Sequence, residues 1–135
     1  MYFSICIPAY NRARTILRTL ESVKKQSFED YEVLIVDDGS TDDTKETVGS
    51  YIKENGLEDK FLYFFKENGG KHSALNFGIE KARGVFFMIL DSDDWLADDA
   101  LNNLTGYCKK IENDDSFCGV MGRSVNSENG KMIGD

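Results

Sequence analysis

The densest chemistry in this sequence is the run Asp91-Ser92-Asp93-Asp94, with three carboxylates in four positions. It follows Val85-Phe86-Phe87-Met88-Ile89-Leu90, an apolar stretch that reads as a strand, so the acids stand where a strand gives way to a loop. Carboxylates packed this closely repel one another unless a positive charge joins them. A hard divalent cation, Mg²⁺ or Mn²⁺, takes oxygen ligands and can also accept a substrate phosphate. The competing use is to cap the helix expected from about Ala97, where negative charge is welcome. Asp94 alone would serve for that, and three carboxylates exceed the need. An EF-hand is excluded, because Trp95 falls on its third ligand position and Leu96 on its glycine.

Other polar groups also sit at strand ends. Asp38 follows the strand Glu32 to Asp37, and a carboxylate there can accept from an imide N–H such as uracil carries. An Asx turn with Gly39 is an equal alternative. Lys71, after Gly69 and Gly70, offers a mobile point charge for a phosphate or a base, or a solvated lysine and nothing more. Tyr10 can pack beside a base or support its own turn. His72 is the only histidine, which excludes multi-histidine metal sites, and it reads as a residue of a helix start. Phe86, Phe87 and Trp95 read as core.

The elements that must position these groups alternate regularly. Ser4 to Pro8 is a short strand, and Asn11 is placed to cap the helix carrying Ile16, Leu17, Leu20 and Val23 on one stripe. The second strand is apolar on both faces, the mark of a central parallel strand. Helices follow at about Asp43 to Asn55, Ser73 to Ala82 (with Gly84 as its C-terminal cap) and Ala97 to Glu112. The third strand is Phe61 to Phe65, the fourth is Val85 to Leu90, and Cys118 to Val125 is a candidate fifth. Gly78, inside a helix, implies close packing against the sheet. This alternation is the signature of an α/β fold with a mostly parallel sheet, in one domain over residues 1–135. In such sheets ligands bind outside the carboxyl ends of the strands, where the polar groups above gather.

Composition narrows the function. At 135 residues the chain buries enough surface to fold without disulfides. Net charge is −8, with 24 acidic residues against 16 basic, which argues against nucleic acid as a partner. Cys6, Cys108 and Cys118 form no Cys-x-x-Cys pair and read as small buried residues in a reducing compartment. No apolar run approaches a membrane span, and the N-terminus lacks the pattern of a signal peptide.

In order along the chain, Ser4-Ile5-Cys6-Ile7-Pro8-Ala9-Tyr10-Asn11, Val36-Asp37-Asp38-Gly39-Ser40-Thr41-Asp42, Asn68-Gly69-Gly70-Lys71 with Ala74-Leu75-Asn76 and Gly78, and Leu90-Asp91-Ser92-Asp93-Asp94 resemble the inverting family 2 glycosyltransferases of the GT-A fold. The resemblance implies a nucleotide-sugar donor site. Pro8, Ala9, Tyr10 and Asn11 would line the nucleotide, Asp38 and Gly39 would hold the base, and Lys71 would lie near base or diphosphate. Asp91 and Ser92 would lie near ribose or sugar, with Asp93 on the Mn²⁺ or Mg²⁺ ion and Asp91 beside it. It further implies a glycan, lipid-linked or other hydroxyl acceptor, a cytoplasmic setting with peripheral membrane association, and self-association through apolar edges. Family members continue past this length into an acceptor-binding half, so the catalytic base is expected beyond residue 135; Asp135 itself has no context. The alternatives are a nucleotide-binding module without catalysis, and a receiver-type phosphoacceptor domain, whose acidic pair belongs after the first strand. A dinucleotide-binding dehydrogenase lacks its Gly-x-Gly-x-x-Gly here.

Overall fold

The computed structural model describes residues 1–133, so Asp135 lies outside the described residues. Two central strands organise the fold, β1 (Phe3–Ala9) and β2 (Tyr31–Asp37), and every residue of both is buried. Ile5, Ile7, Val33, Leu34, Ile35 and Val36 fill their two faces, as expected of parallel strands covered by helices on both sides. Between them runs α1 (Ile16–Lys24), and α2 (Thr44–Glu54) leads to β3 (Phe61–Phe65). Then α3 (Lys71–Lys81) crosses back to β4 (Phe86–Ile89). The sheet order is β3-β2-β1-β4 with every pair parallel. The strand order therefore reverses between β1 and β4, and a crevice opens there at the carboxyl ends of the strands.

These elements make one compact unit, Met1–Asp98; the second begins at Asp99. The second unit contains α4 (Ala100–Ile111) and an antiparallel pair, β5 (Ser124–Val125) with β6 (Met132–Ile133). The expected strand from Cys118 to Val125 is thus reduced to its last two residues. The segment before them lies open, with Met121 92% exposed, and Cys118 is exposed rather than buried. Cys6 and Cys108 are buried as expected.

Helix boundaries shift for identifiable reasons. Asn11 does not cap α1; it sits in the left-handed region at φ 52°, and its side-chain carbonyl accepts the amides of Thr41 and Asp42. The helix starts later, at Ile16. Gly84 is not a cap either, since α3 ends at Lys81 and the amides of Arg83 and Gly84 both donate to Ser4 Oγ. The last helix starts at Ala100 rather than Ala97, whose carbonyl is taken by the Gln26 side chain. Gly78 does pack closely: a Cβ there would lie 2.5 Å from Cys6 Sγ on β1.

At the amino end of the sheet a charge is buried. Glu32, fully inaccessible on β2, accepts from Ser4 Oγ at 2.7 Å and from the Arg83 amide and Nε at 2.8 and 2.7 Å. Burial disfavours its charge, but the Ser4 and Arg83 bonds outweigh that and hold the carboxyl below the ordinary glutamate range. This cluster ties β1, β2 and the approach to β4 together at the end away from the acidic run.

Candidate functional site

Each strand delivers a polar turn to the carboxyl rim. After β1, Asn11 is pinned to the loop that follows β2. Its amide donates to Ser40 Oγ at 2.8 Å, and the amides of Arg12 and Ala13 donate to Thr44 Oγ1 and Asp42 Oδ2. Asp37 closes the turn after β2, its Oδ1 accepting the Ser40 amide at 2.7 Å while Oδ2 accepts from Tyr63. Burial and this carboxylate together raise the Tyr63 pKa far above the ordinary tyrosine range. Gly39 is required in that turn. Its φ is +81°, and a Cβ would fall 2.8 Å from the Asn68 amide nitrogen.

Asp38 is only 3% exposed. Rather than forming an Asx turn with Gly39, it reaches across to the loop after β3. Oδ1 accepts from Lys66 Nζ at 2.6 Å and the Gly69 amide at 2.9 Å, and Oδ2 accepts the Gly70 amide at 2.7 Å. Burial works against the charge, but the Lys66 ammonium and the two amides win and hold the carboxyl below the usual aspartate range. The Gly69-Gly70 turn is thereby fixed, and α3 starts at Lys71, in the first residue after it.

Between these turns and the end of β4 lies a cleft of about 270 Å³. Of the residues singled out from sequence, it brings together Pro8, Ala9, Tyr10, Asp38, Lys71, Asp91, Ser92 and Asp93. Asn11 and Gly39 are not on its wall; they build the turns behind it. Ala74, marked in sequence only as part of the family motif, and Arg12, not marked at all, also line the cleft. Arg12 stands next to a turn residue whose role was read from type alone, and nothing in its spacing marked it.

Asp91, Asp93 and Asp94 each present a carboxylate oxygen, all within 4.8 Å of one another. Asp94 does not cap a helix; its amide donates to the Asp91 carbonyl and closes the turn. Three oxygen donors at this spacing suit a hard cation and offer nothing to a soft one. Two side chains already neutralise part of the charge: Lys71 Nζ pairs with Asp91 Oδ1, and Arg12 with Asp93 Oδ2 at 3.9 Å.

The acidic loop is held by polar side chains of α1 and of the residues at its two ends. Thr15 Oγ1 donates to the Ser92 carbonyl at 3.1 Å, and Thr19 Oγ1 to the Asp94 carbonyl at 2.6 Å. Ser22 Oγ accepts the Leu96 amide at 3.0 Å, and Gln26 Nε2 donates to the Ala97 carbonyl at 2.9 Å. Thr19 and Ser22 lie on α1, Thr15 caps its start and Gln26 follows its end. Trp95, read from sequence as core, is 37% exposed and lies under Arg18, whose guanidinium carbon is 3.3 Å from the ring centre. The signal was present as polar residues at helical spacing, but sequence periodicity reports the apolar stripe of Ile16, Leu17, Leu20 and Val23, of which Leu17 is exposed and the other three are buried.

Residues 4–133 match the model of the family described as Glycosyl transferase family 2. An uncharacterized glycosyltransferase of Rickettsia typhi is 36% identical over 118 residues, covering 86% of this chain and 35% of that protein. Staphylococcus aureus TarS 1-349, solved in complex with UDP, superposes with a TM-score of 0.73 at 32% identity, over 82% of this chain and 32% of that one. The mannosyltransferase PcManGT of Pyrobaculum calidifontis, solved with GDP-Man and Mn²⁺, gives 0.73 at 29% identity, over 78% and 32%. The chain spans about a third of the length of these relatives.

Proposed function

We propose that this chain, which belongs to glycosyl transferase family 2 and has the GT-A fold, binds the nucleotide-sugar donor of an enzyme that transfers the sugar to an acceptor hydroxyl with inversion. The observation that carries this reading is the convergence of Pro8 to Tyr10, Asp38, Lys71 and the carboxylates of Asp91 and Asp93 on one cleft. It lies at the point where the strand order reverses.

In this reading the donor is a UDP-sugar, its uracil lying between Tyr10 and the wall that Asp38 and the Gly69-Gly70 turn create. Both Asp38 oxygens are already engaged by Lys66, Gly69 and Gly70. It therefore meets a base through remaining lone-pair capacity while holding the turn rigid. Lys71 and Arg12 supply positive charge for the diphosphate, which a chain of net charge −8 needs locally. Asp93 and Asp91 hold Mn²⁺ or Mg²⁺, a role their all-oxygen donor set supports. Such a cation, when bound, supplies Lewis-acid stabilisation of the departing nucleoside diphosphate. Ser92, buried and bonded through its carbonyl to Thr15, orients the loop between the two acids. The acceptor is a glycan, a lipid-linked sugar or another hydroxyl compound. Peripheral attachment at the cytoplasmic face of a membrane belongs to the same reading. Among the described residues no helix is long and apolar enough to cross a membrane.

Calorimetry with UDP and with GDP, each with and without Mn²⁺, tests the proposal. UDP should bind when Mn²⁺ is present, and Asp93→Ala should abolish that binding. Binding of GDP alone would reassign the donor nucleotide. Failure of both nucleotides to bind in the presence of Mn²⁺ would remove the donor-site reading.

A further inference from the structure

Lys71 and Arg12 face the acidic run from opposite walls of the cleft. Lys71 opens α3 and reaches Asp91, while Arg12 follows the left-handed Asn11 and reaches Asp93. Each of the two carboxylates proposed as metal ligands thus carries its own organic cation. Asp94 has no such ion pair among the described residues and uses its amide to close the turn. The backbone on both walls is fixed: the Arg12 amide by Thr44, and the start of α3 by the Gly70 amide held on Asp38. The side chains are not. Lys71 and Arg12 are 57% and 44% exposed, and their partners Asp91 and Asp93 are 42% and 55% exposed. A long cationic side chain on a fixed root, in a solvated pair, changes partner at little cost.

We infer that Arg12 and Lys71 are exchangeable counter-ions of the acidic pair, so that divalent cation and nucleoside diphosphate bind this cleft interdependently. The inference rests on the donor-site reading above and adds an energetic coupling to it. Without ligand, the two cations screen the carboxylates and hold the loop against self-repulsion. A divalent cation that takes Asp91 and Asp93 must displace Lys71 and Arg12, which lowers its affinity when it arrives alone. The displaced side chains remain on the cleft wall, where a diphosphate provides new partners and recovers the lost attraction. Metal alone is therefore opposed by the same two residues that favour metal and diphosphate together, and each ligand strengthens the other by the same factor. Arg12, which the sequence did not single out, becomes a binding residue for the diphosphate.

The test is calorimetry at low ionic strength on the protein and on its Arg12→Gln/Lys71→Gln variant, with Mn²⁺ alone and with UDP at saturating Mn²⁺. Both substituted side chains are exposed, and thermal unfolding checks that the variant stays folded. The variant should bind Mn²⁺ alone about threefold more tightly and UDP in the presence of Mn²⁺ about tenfold more weakly. Arg12→Lys/Lys71→Arg should restore both values toward those of the parent. Because the pairs are solvated, the coupling should shrink as salt is raised. Unchanged or weaker Mn²⁺ binding in the variant, with UDP binding reduced, would overturn the exchange and leave the two residues as plain phosphate contacts, with the donor-site reading intact. Absence of UDP binding in the parent protein would remove both.

Discussion

Asp38 and Glu32 illustrate how a single carboxylate can organise a sheet end. Both are almost wholly buried, one at each end of β2, and both are held charged by donors from elements distant in sequence. Arg83 is itself 59% exposed and stays solvated when its partner is lost, so Glu32→Gln removes the charge-assisted bonds from Ser4 and Arg83 and should cost about 2 kcal/mol of stability, measured by chemical unfolding. Their pH dependence follows from the direction of the shifts. Each native carboxyl lies below its unfolded counterpart, for which the ordinary values are about 4.3 for glutamate and about 3.9 for aspartate. Their stabilisation is therefore complete above those values and is lost as pH falls through the depressed native ones. The thermal midpoint should fall as pH drops below about 4.5, and Glu32→Gln should flatten that acid limb. An equally steep acid limb in the variant would remove Glu32 from the account.

At the scale of elements, α1 and its two ends serve both the core and the acidic loop. Ile16, Leu20 and Val23 are fully buried, while Thr15, Thr19, Ser22 and Gln26 hold four backbone groups between Ser92 and Ala97. A loop of like charges has little intrinsic reason to keep one shape, and this polar stripe supplies one. Thr19 is fully buried, so Thr19→Val preserves volume and strands the Asp94 carbonyl, at about 1–3 kcal/mol. The same change should weaken Mn²⁺-dependent UDP binding more than a core substitution of equal stability cost, such as Val48→Ala on α2. Thr19→Ser, which keeps the hydroxyl, should recover the binding. Equal effects of Thr19→Val and Val48→Ala on UDP affinity would reduce the stripe to a packing feature.

At the scale of the whole molecule, stability should concentrate where burial does. β1 and β2 are buried along their full length, whereas both residues of β5 are exposed. Amide hydrogen exchange should therefore be slowest at Ile5, Ile7 and Leu34 and fast at Ser124 and Val125. Comparable protection of β5 and β1 would contradict that distribution. The large acidic excess repels an anionic ligand at long range. The cleft answers this locally, with Lys71 and Arg12 on its walls and an oxygen cage suited to a divalent cation.

The sequence by itself determined the alternation of strands and helices, the parallel sheet and the acidic run at a strand end. Periodicity and residue type are local properties, and the energy of burying an apolar face is decided largely within each element. The close approach of Gly78 to β1 was legible for the same reason, because a glycine inside a helix demands a cause. Tertiary structure alone decided the partners. Nothing local states that Asp38 binds the Gly69-Gly70 turn, that Asn11 braces the Thr41-Asp42 backbone instead of capping α1, or that Trp95 lies under Arg18. Hydrogen bonds and ion pairs between residues some 30 to 80 positions apart depend on chain crossovers that bring distant turns to one rim, and a residue's type fixes only what it can bond, not which neighbour it meets.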